Sequence, residues 1–500
     1  MPGSVRRQAR WWPAALPPRS GTGRFVAAAT AVGLLAAAGA VAAAGPWDGG
    51  QRTAERVRAA AADRGAYARG APYGSSLAGP VLAGVPEAPS GGPGGARGTG
   101  GSGGVDGSGG SGGAPAAAGL AAALEPLLAD AALGPRVSAS VVDAASGERL
   151  FGSNEAAAVT PASTVKLATS AAALSALGAD HRIETAVTLG ADGIVLVGGG
   201  DPTLTARPAP PGREPTGLPA LADATARALK ALGTDHTALR YDVSRYTGPV
   251  PHAIGPNENL APVSALMVDE GRLDDSDHGP ADRTDDPAGD AARKFAALLG
   301  ERGVRVEGEP AEGRSPAGAR RLAAVSSAPL ADLVERALTQ SDNDIAEALA
   351  RQTALADGQP ASFEGAGRAV AARLARLGLP TAGCRFADGS GLDRSDRVSA
   401  DLLARLLARA GDRGAPELRS VLTGLPVAGF SGTLQGRVAG GRGVVRAKTG
   451  TLTGVNALAG TAVASGGRLL TFAFLADGTA DSEGAQRALD ALASAVAAVR

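Results

Sequence analysis

The chain contains little of three residue types that often reveal a compartment or a chemistry. Its 500 residues include one cysteine, four histidines and only 3% aromatic residues. The single cysteine, Cys384, cannot form an internal disulfide, and we interpret it as a small core residue rather than a nucleophile. The histidines show no metal-ligand spacing, which argues against a zinc site and a histidine-based triad. The sequence therefore predicts no metal and no cofactor.

Neither basic nor acidic residues are in excess, and few of the basic residues are lysines. The 49 basic residues balance 49 acidic ones, so no basic surplus exists to neutralise phosphates, and nucleic-acid binding is not expected. Only four basic residues are lysines. A lysine amine can lose its proton near neutral pH, whereas a guanidinium cannot, so each lysine is a candidate for a position that arginine cannot fill. The four are Lys166, Lys230, Lys294 and Lys448.

The N-terminal region predicts export. Residues 1–24 are basic and residues 25–45 carry no charge. A helix over the uncharged run would be about 30 Å long, enough to cross a bilayer, and the arginines before it place residues 1–24 in the cytoplasm. We interpret 25–45 as a retained membrane anchor, with a signal peptide cleaved near Ala42–Ala44 as the alternative. Either predicts an extracytoplasmic protein of the cell envelope, anchored or secreted.

Residues 46–115 are predicted to be an extracytoplasmic linker. Between Gly91 and Gly113, 14 of 23 residues are glycine. Such a segment cannot bury enough apolar surface to order itself. Folding is therefore expected from residue 116 onward.

The rest of the chain predicts an α+β fold. Residues 116–177 and 327–500 show helical and strand periodicities and are interpreted as a catalytic domain, while 178–326, richer in Gly, Pro and Asp, are interpreted as a smaller inserted domain. Helices are predicted at Ala117–Leu133, Leu330–Leu338, Asp344–Ala354, Ala366–Leu377, Ser399–Ala410 and Ser482–Val499. Strands are predicted at Arg136–Asp143, Arg149–Phe151, Ile194–Val197, Val444–Val455, Leu458–Val463 and Arg468–Leu475.

A first motif, Ser163 to Lys166, stands at the start of a predicted helix that Pro161 opens. Residues at i and i+3 share a helix face, so the lysine amine can approach the serine hydroxyl. A lysine whose ammonium form is disfavoured can take the hydroxyl proton and activate the serine. The helix N-terminus would stabilise a developing oxyanion.

Two further motifs follow in order. Ser341-Asp342-Asn343 separates two predicted helices, where an ordinary helix cap is the alternative interpretation. Lys448-Thr449-Gly450-Thr451 lies on a predicted strand, where glycine marks a close approach and lysine offers a charge for a substrate carboxylate. A solvated strand lysine is the alternative there.

Together the three motifs are the set found in penicillin-binding proteins and class A β-lactamases. The chain resembles the D-alanyl-D-alanine carboxypeptidase/endopeptidase family, the low-molecular-mass class C penicillin-binding proteins (peptidase family S13). Ser431 and Asp393 depart from its pattern, where an aspartate and a serine are expected. The segments that carry the likeness are Thr160–Leu167, Leu196–Leu204, Val263–Arg272, Asp388–Leu392, Leu425–Gly429 and Arg446–Leu452.

The resemblance implies a penicillin-binding-protein/serine β-lactamase-like domain, in which helices flank an antiparallel sheet. It implies peptidoglycan stem peptides as substrates and β-lactams as inhibitors. Ser163 would attack the penultimate D-alanine, Lys166 would accept its proton, and Ser341 would relay a proton to the leaving group. The implied substrate-binding residues are Asn343, Lys448, Thr449, Gly450 and Thr451, with the backbone N–H groups of Ser163 and Thr451 forming an oxyanion hole.

Alternatives stay open at this point. A class A-like β-lactamase would share the motifs, but 175 positions separate Lys166 from Ser341, and the candidate water-activating residue Glu258 does not match the expected loop. A non-hydrolytic wall-binding or β-lactam-sensing protein is a second alternative. The residues also do not separate carboxypeptidase from endopeptidase action.

Overall fold

The computed structural model describes residues 113–208 and 216–499, which contain ten α-helices and thirteen β-strands. The helices are α1 (Gly113–Leu128), α2 (Val165–Leu177), α3 (Gly217–Ala231), α4 (Pro287–Glu301), α5 (Leu330–Thr339), α6 (Asn343–Ala356), α7 (Phe363–Arg376), α8 (Ala400–Gly411), α9 (Arg419–Thr423) and α10 (Ser482–Ala498). The strands are β1 (Arg136–Asp143), β2 (Arg149–Ser153), β3 (Ala158–Val159), β4 (Glu184–Leu189), β5 (Gly193–Val197), β6 (His236–Asp242), β7 (Arg305–Val306), β8 (Ala311–Glu312), β9 (Arg321–Ser326), β10 (Val398–Ser399), β11 (Val445–Leu452), β12 (Val455–Val463) and β13 (Leu469–Asp477).

A five-stranded antiparallel sheet separates two hydrophobic cores. Its strand order is β11-β12-β13-β1-β2. Successive side chains of a strand point to opposite faces, so Phe472 and Phe474 of β13 join the core under α1 and α10. Ala473 and Leu475 join the other core, which contains α2, α5, α6, α7 and α8. The antiparallel sheet with helices on both faces is the predicted α+β arrangement.

Helix α2 lies at the centre of the second core. Every residue from Val165 to Leu174 is buried, and most of them are small or aliphatic. The helix packs against α6 and α7. A charged residue on such a helix is unusual, because burying a charge is costly unless it is paired. Lys166 is that residue, and its burial sets up the chemistry described below.

A second sheet lies between Glu184 and Ser326. Its strand order is β7-β6-β5-β4-β9, with β8 beside β6. The pairs of β6 with β5, β7 and β8 are parallel, whereas β4 pairs antiparallel with β5 and β9. Helices α3 and α4 cover it around a core of its own. All its strands fall within 178–326; that this segment is a separate domain stays a prediction.

Several predicted boundaries were wrong by three residues or more, and two of them have a clear local cause. The helix predicted to reach Leu133 ends at Leu128 and is followed by a 3-10 turn, because the Asp130 side chain accepts a hydrogen bond from the Ala132 N–H and starts a new turn. The strand predicted to continue to Val455 ends at Leu452. The chain reverses at Thr453–Gly454, where glycine supplies a φ of 77°.

The N-terminal predictions for 1–24 and 25–45 lie outside the described residues, as does the predicted linker, apart from its last residues in α1. Within 113–208 and 216–499, none of the helices is long and apolar enough to span a bilayer.

We expect Phe474→Ala to lower the free energy of unfolding by about 3–5 kcal/mol, because it leaves a cavity in a fully buried site. Phe430→Ala is the matched control. Its ring is 59% exposed, and its loss should cost less than about 1 kcal/mol. Urea denaturation followed by circular dichroism measures both; equal losses would contradict the assignment of Phe474 to the core.

Candidate active site

The turn that carries Ser163 is held in a strained backbone conformation. Ala162 has a φ of 47°, a left-handed value that is uncommon for a residue other than glycine. The Thr164 hydroxyl donates to the Pro161 carbonyl at 2.7 Å and closes the turn. Helix α2 follows at once, and its first turn brings Lys166 Nζ to 3.0 Å from Ser163 Oγ. The predicted approach of amine to hydroxyl is therefore present.

Lys166 is buried among hydrogen-bond acceptors. Its Nζ donates to Asn343 Oδ1 at 2.7 Å and to the Ser390 carbonyl at 2.6 Å. Burial lowers the pKa of Lys166 to about 8, although nearby carboxylates, chiefly that of Asp388, act in the opposite direction. An appreciable fraction of the amine is therefore neutral near pH 8 and can accept a proton.

The Ser341-Asp342-Asn343 loop serves both as a helix cap and as part of the site. Asp342 accepts a hydrogen bond from the Ile345 N–H at 3.0 Å, so the capping interpretation is correct for this residue. Ser341 has a φ of 60°. Asn343 contacts Lys166 with its oxygen, and its Nδ2 donates to the Asn259 carbonyl at 2.8 Å. The loop thus joins Lys166 to segment 178–326.

The third motif lies on β11, an edge strand of the five-stranded sheet. Lys448 is fully buried, and its Nζ lies 2.9 Å from Ser341 Oγ. Burial, together with the positive charge of Lys166, lowers the pKa of Lys448 well below its usual value. A Cβ atom at position 450 would lie 2.7 Å from the Pro161 carbonyl oxygen, so Gly450 allows the strand to pack directly on the turn that carries Ser163.

The three motifs meet at one cleft of about 320 Å³. One group of lining residues comes from the motifs: Ser163, Ser341, Asn343, Thr449 and Thr451. A second group comes from segment 178–326: Asn259, Arg272, His278, Pro280 and Arg283. Lys166, Lys448 and Gly450 lie buried behind the cleft. The arrangement brings two serine hydroxyls to one polar cleft, each with a buried lysine amine beside it.

The sequence analysis included Asp388–Leu392 only as a segment of family likeness and missed that this loop contacts Lys166. The loop begins at Asp388, and its Ser390 carbonyl contacts the lysine amine. The Thr433 hydroxyl, 2.9 Å from that of Thr449, was missed as well. The density of glycine around Ser390 was a visible signal for a tight loop. A backbone carbonyl carries no side-chain signature, so its contact with Lys166 could not be read from the sequence.

Within the described residues, two buried groups place three potential metal ligands close together: His252, Glu347 and Asp388 in one, and Glu270, Asp342 and Asp344 in the other. In one, Glu347 Oε1 accepts hydrogen bonds from the backbone N–H groups of Gly389 and Ser390. In the other, Asp344 pairs with Arg283 at 2.8 Å. The oxygens of Glu347 and Asp344 are thus bound by protein donors.

Comparison with known proteins agrees with the motifs. The sequence profile of the D-Ala-D-Ala carboxypeptidase 3 (S13) family matches residues 120–280 and 275–498. A carboxypeptidase of Mycobacterium tuberculosis is 38% identical over 395 residues, which cover 75% of this chain and 83% of that protein. A D-alanyl-D-alanine carboxypeptidase of an Actinomadura species is 32% identical over 416 residues, covering 67% and 77%.

The fold matches as well. The crystal structure of penicillin-binding protein 4 from Haemophilus influenzae superposes with a TM-score of 0.60 at 22% identity, covering 73% of this chain and 98% of that one. The same protein has also been solved in complex with a β-lactam. This likeness confirms the predicted penicillin-binding-protein fold. The chain therefore belongs to the D-Ala-D-Ala carboxypeptidase 3 (S13) family, and it is a serine-type hydrolase of the carboxypeptidase class that its motifs predicted.

Proposed function

We propose that the protein removes the terminal D-alanine from peptidoglycan stem peptides through an acyl-enzyme on Ser163. The observation that carries this proposal is the 3.0 Å approach of Lys166 Nζ to Ser163 Oγ at the edge of a cleft. Family membership supports the substrate class.

Acylation begins with proton transfer from Ser163 Oγ to the neutral amine of Lys166. The serine oxygen attacks the carbonyl carbon of the penultimate D-alanine. The backbone N–H groups of Ser163 and Thr451 donate hydrogen bonds that stabilise the negative charge on the carbonyl oxygen. The peptide bond then breaks. Ser341 passes its hydroxyl proton to the amine of the departing D-alanine and takes a proton in return from Lys448 Nζ, 2.9 Å from its hydroxyl oxygen.

Strand β11 and the Ser341-Asp342-Asn343 loop bind the substrate. Lys448 and the hydroxyls of Thr449 and Thr451 bind the terminal carboxylate, whose negative charge favours the protonated form of the buried lysine. Asn343 binds the peptide backbone. Water then hydrolyses the ester at Ser163. β-Lactams resemble the substrate's end and acylate the same oxygen, but their adducts turn over slowly.

The enzyme acts outside the cytoplasm, where its substrate lies. We propose that residues 25–45 anchor it in the membrane or act as a signal peptide, and that 46–115 link this segment to the catalytic domain. The hydrophobicity of 25–45 and the glycine content of 91–113 support this arrangement.

The β-lactamase alternative is weaker. Glu258, its candidate for activating water, has an exposed side chain and is not among the residues that line the cleft. The backbone carbonyl of the neighbouring Asn259 instead accepts a hydrogen bond from Asn343 Nδ2.

Ser163→Ala should lower D-alanine release from a peptide ending in Lys-D-Ala-D-Ala by more than about 10³-fold, because the nucleophile is lost. Mass spectrometry should also show no penicillin adduct. The matched control is Ser170→Ala on the same helix. The Ser170 hydroxyl has no hydrogen-bond partner among the described residues, so its loss should leave activity intact. Full release by the Ser163 variant would refute the mechanism. A cross-linked muropeptide, used as a second substrate, measures endopeptidase action.

The rate of acylation by penicillin should rise with pH and level off above about pH 8. A pKa lowered to about 8 means that the neutral amine of Lys166 predominates only above that pH. Below it, the rate should fall about tenfold per pH unit. Lys166→Arg, which keeps the charge but cannot lose its proton, should abolish the rise. A flat rate between pH 6 and 8 would contradict a neutral lysine base.

Lys448→Met should lower kcat/KM about 10- to 100-fold for a substrate with a free C-terminal carboxylate, from the ~1.5–3 kcal/mol of a charged hydrogen bond. A substrate with an amidated C-terminus should be affected much less, so the preference for the acid should shrink. The exposed Lys230→Met serves as control. Equal losses for acid and amide would exclude Lys448 as the carboxylate ligand.

A further inference from the structure

A buried histidine from segment 178–326 is hydrogen-bonded to the loop that contacts Lys166. His252 lies in the loop between β6 and α4, is 6% exposed, and packs edge-on against Phe363. Its Nε2 lies 3.0 Å from Asp388 Oδ2. Its Nδ1 accepts the Ile254 N–H at 3.2 Å, so the ring proton is on Nε2 and is donated to Asp388.

The Asp388 carboxylate accepts hydrogen bonds from several groups of the loop that follows it. Its Oδ2 accepts hydrogen bonds from the Ser390 hydroxyl at 3.0 Å and from the N–H groups of Leu392 and Asp393 at 3.0 and 2.8 Å. Its Oδ1 accepts the Gly391 N–H at 2.7 Å. The carboxylate therefore has four donors within its own loop and does not need His252 to be satisfied. The bond from His252 instead ties this loop to segment 178–326.

The loop touches both members of the Ser163–Lys166 pair. The Ser390 carbonyl accepts from Lys166 Nζ at 2.6 Å. A Cβ atom at Gly391 would lie 2.1 Å from the Ala162 carbonyl oxygen, so the loop backbone packs directly on the nucleophile turn. A small movement of the loop would consequently displace the amine, the turn, or both.

We propose that His252 is a positioning residue for the catalytic lysine: by holding Asp388, it fixes the Ser390 carbonyl against Lys166. Segment 178–326 thereby controls the placement of the base as well as one side of the cleft. The inference rests on the proposed function, in which Lys166 accepts the serine proton. A displacement of about 1 Å at a reacting group can cost about 10²-fold in rate, so a link of this kind is large enough to measure.

Two variants of similar size separate the hydrogen bond from simple packing. His252→Leu fills the space but has no donor, whereas His252→Gln can still donate an N–H to Asp388. The assay is acylation by a fluorescent penicillin, resolved by stopped flow into the dissociation constant of the first complex and the acylation rate constant. Thermal melting checks that each variant folds. His236→Leu, at a histidine whose side chain is 57% exposed, is the control.

We expect His252→Leu to lower the acylation rate constant about 10²-fold with little change in the dissociation constant. His252→Gln and the control should stay within about threefold of wild type. A folded His252→Leu variant that acylates at the wild-type rate would overturn the inference, as would a folded His252→Gln variant as slow as His252→Leu.

Should His252→Leu fail to fold, His252→Phe takes its place, because it also fills the space of the ring without supplying a donor to Asp388. We expect it to slow acylation without weakening the first complex, and an unchanged rate overturns the inference. The proposed function fails separately: wild-type enzyme that forms no adduct on Ser163 overturns it, together with everything that rests on it.

Discussion

The burial of the Lys166 amine is the constraint on which the rest of the site depends. An exposed lysine is almost wholly protonated at neutral pH and cannot accept a proton from serine. Full burial lowers its pKa to about 8, while carboxylates around it act against that change. Three oxygens, from Ser163, Asn343 and Ser390, hold the amine in place. Because these effects oppose each other, part of the Lys166 population is neutral near pH 8, while the three contacts hold the amine beside Ser163 Oγ.

Each major element around the cleft contributes to that burial. The small side chains of α2 let the helix lie between the sheet and the surrounding helices. Gly450 lets β11 pack on the turn that carries Ser163. Lys448, a second buried lysine, lies beside Ser341. Each lysine disfavours the protonated form of the other, and an anionic substrate that enters the cleft favours the protonated form of both.

Local sequence patterns predicted most of the helices and strands in residues 116–177 and 327–500. Strand β1 was predicted with its observed bounds, and the three motifs stand together as their order suggested. The failures have physical causes. The end of β11 depends on a left-handed glycine at 454, and the end of α1 on a competing side-chain cap at Asp130. The contact of Lys166 with the Ser390 carbonyl and that of His252 with Asp388 join parts of the chain that are far apart in sequence, and neither periodicity nor spacing encodes them.

The most direct test of the account is the ionisation of Lys166 itself. The chain has only four lysines, so selective ¹³C labelling at lysine Cε should give four resolved signals whose pH titration NMR can follow. Lys166→Arg assigns one of them by its disappearance. The account predicts that this signal titrates near pH 8. Titration above about pH 10, as in an exposed lysine, would contradict the claim that Lys166 is the base.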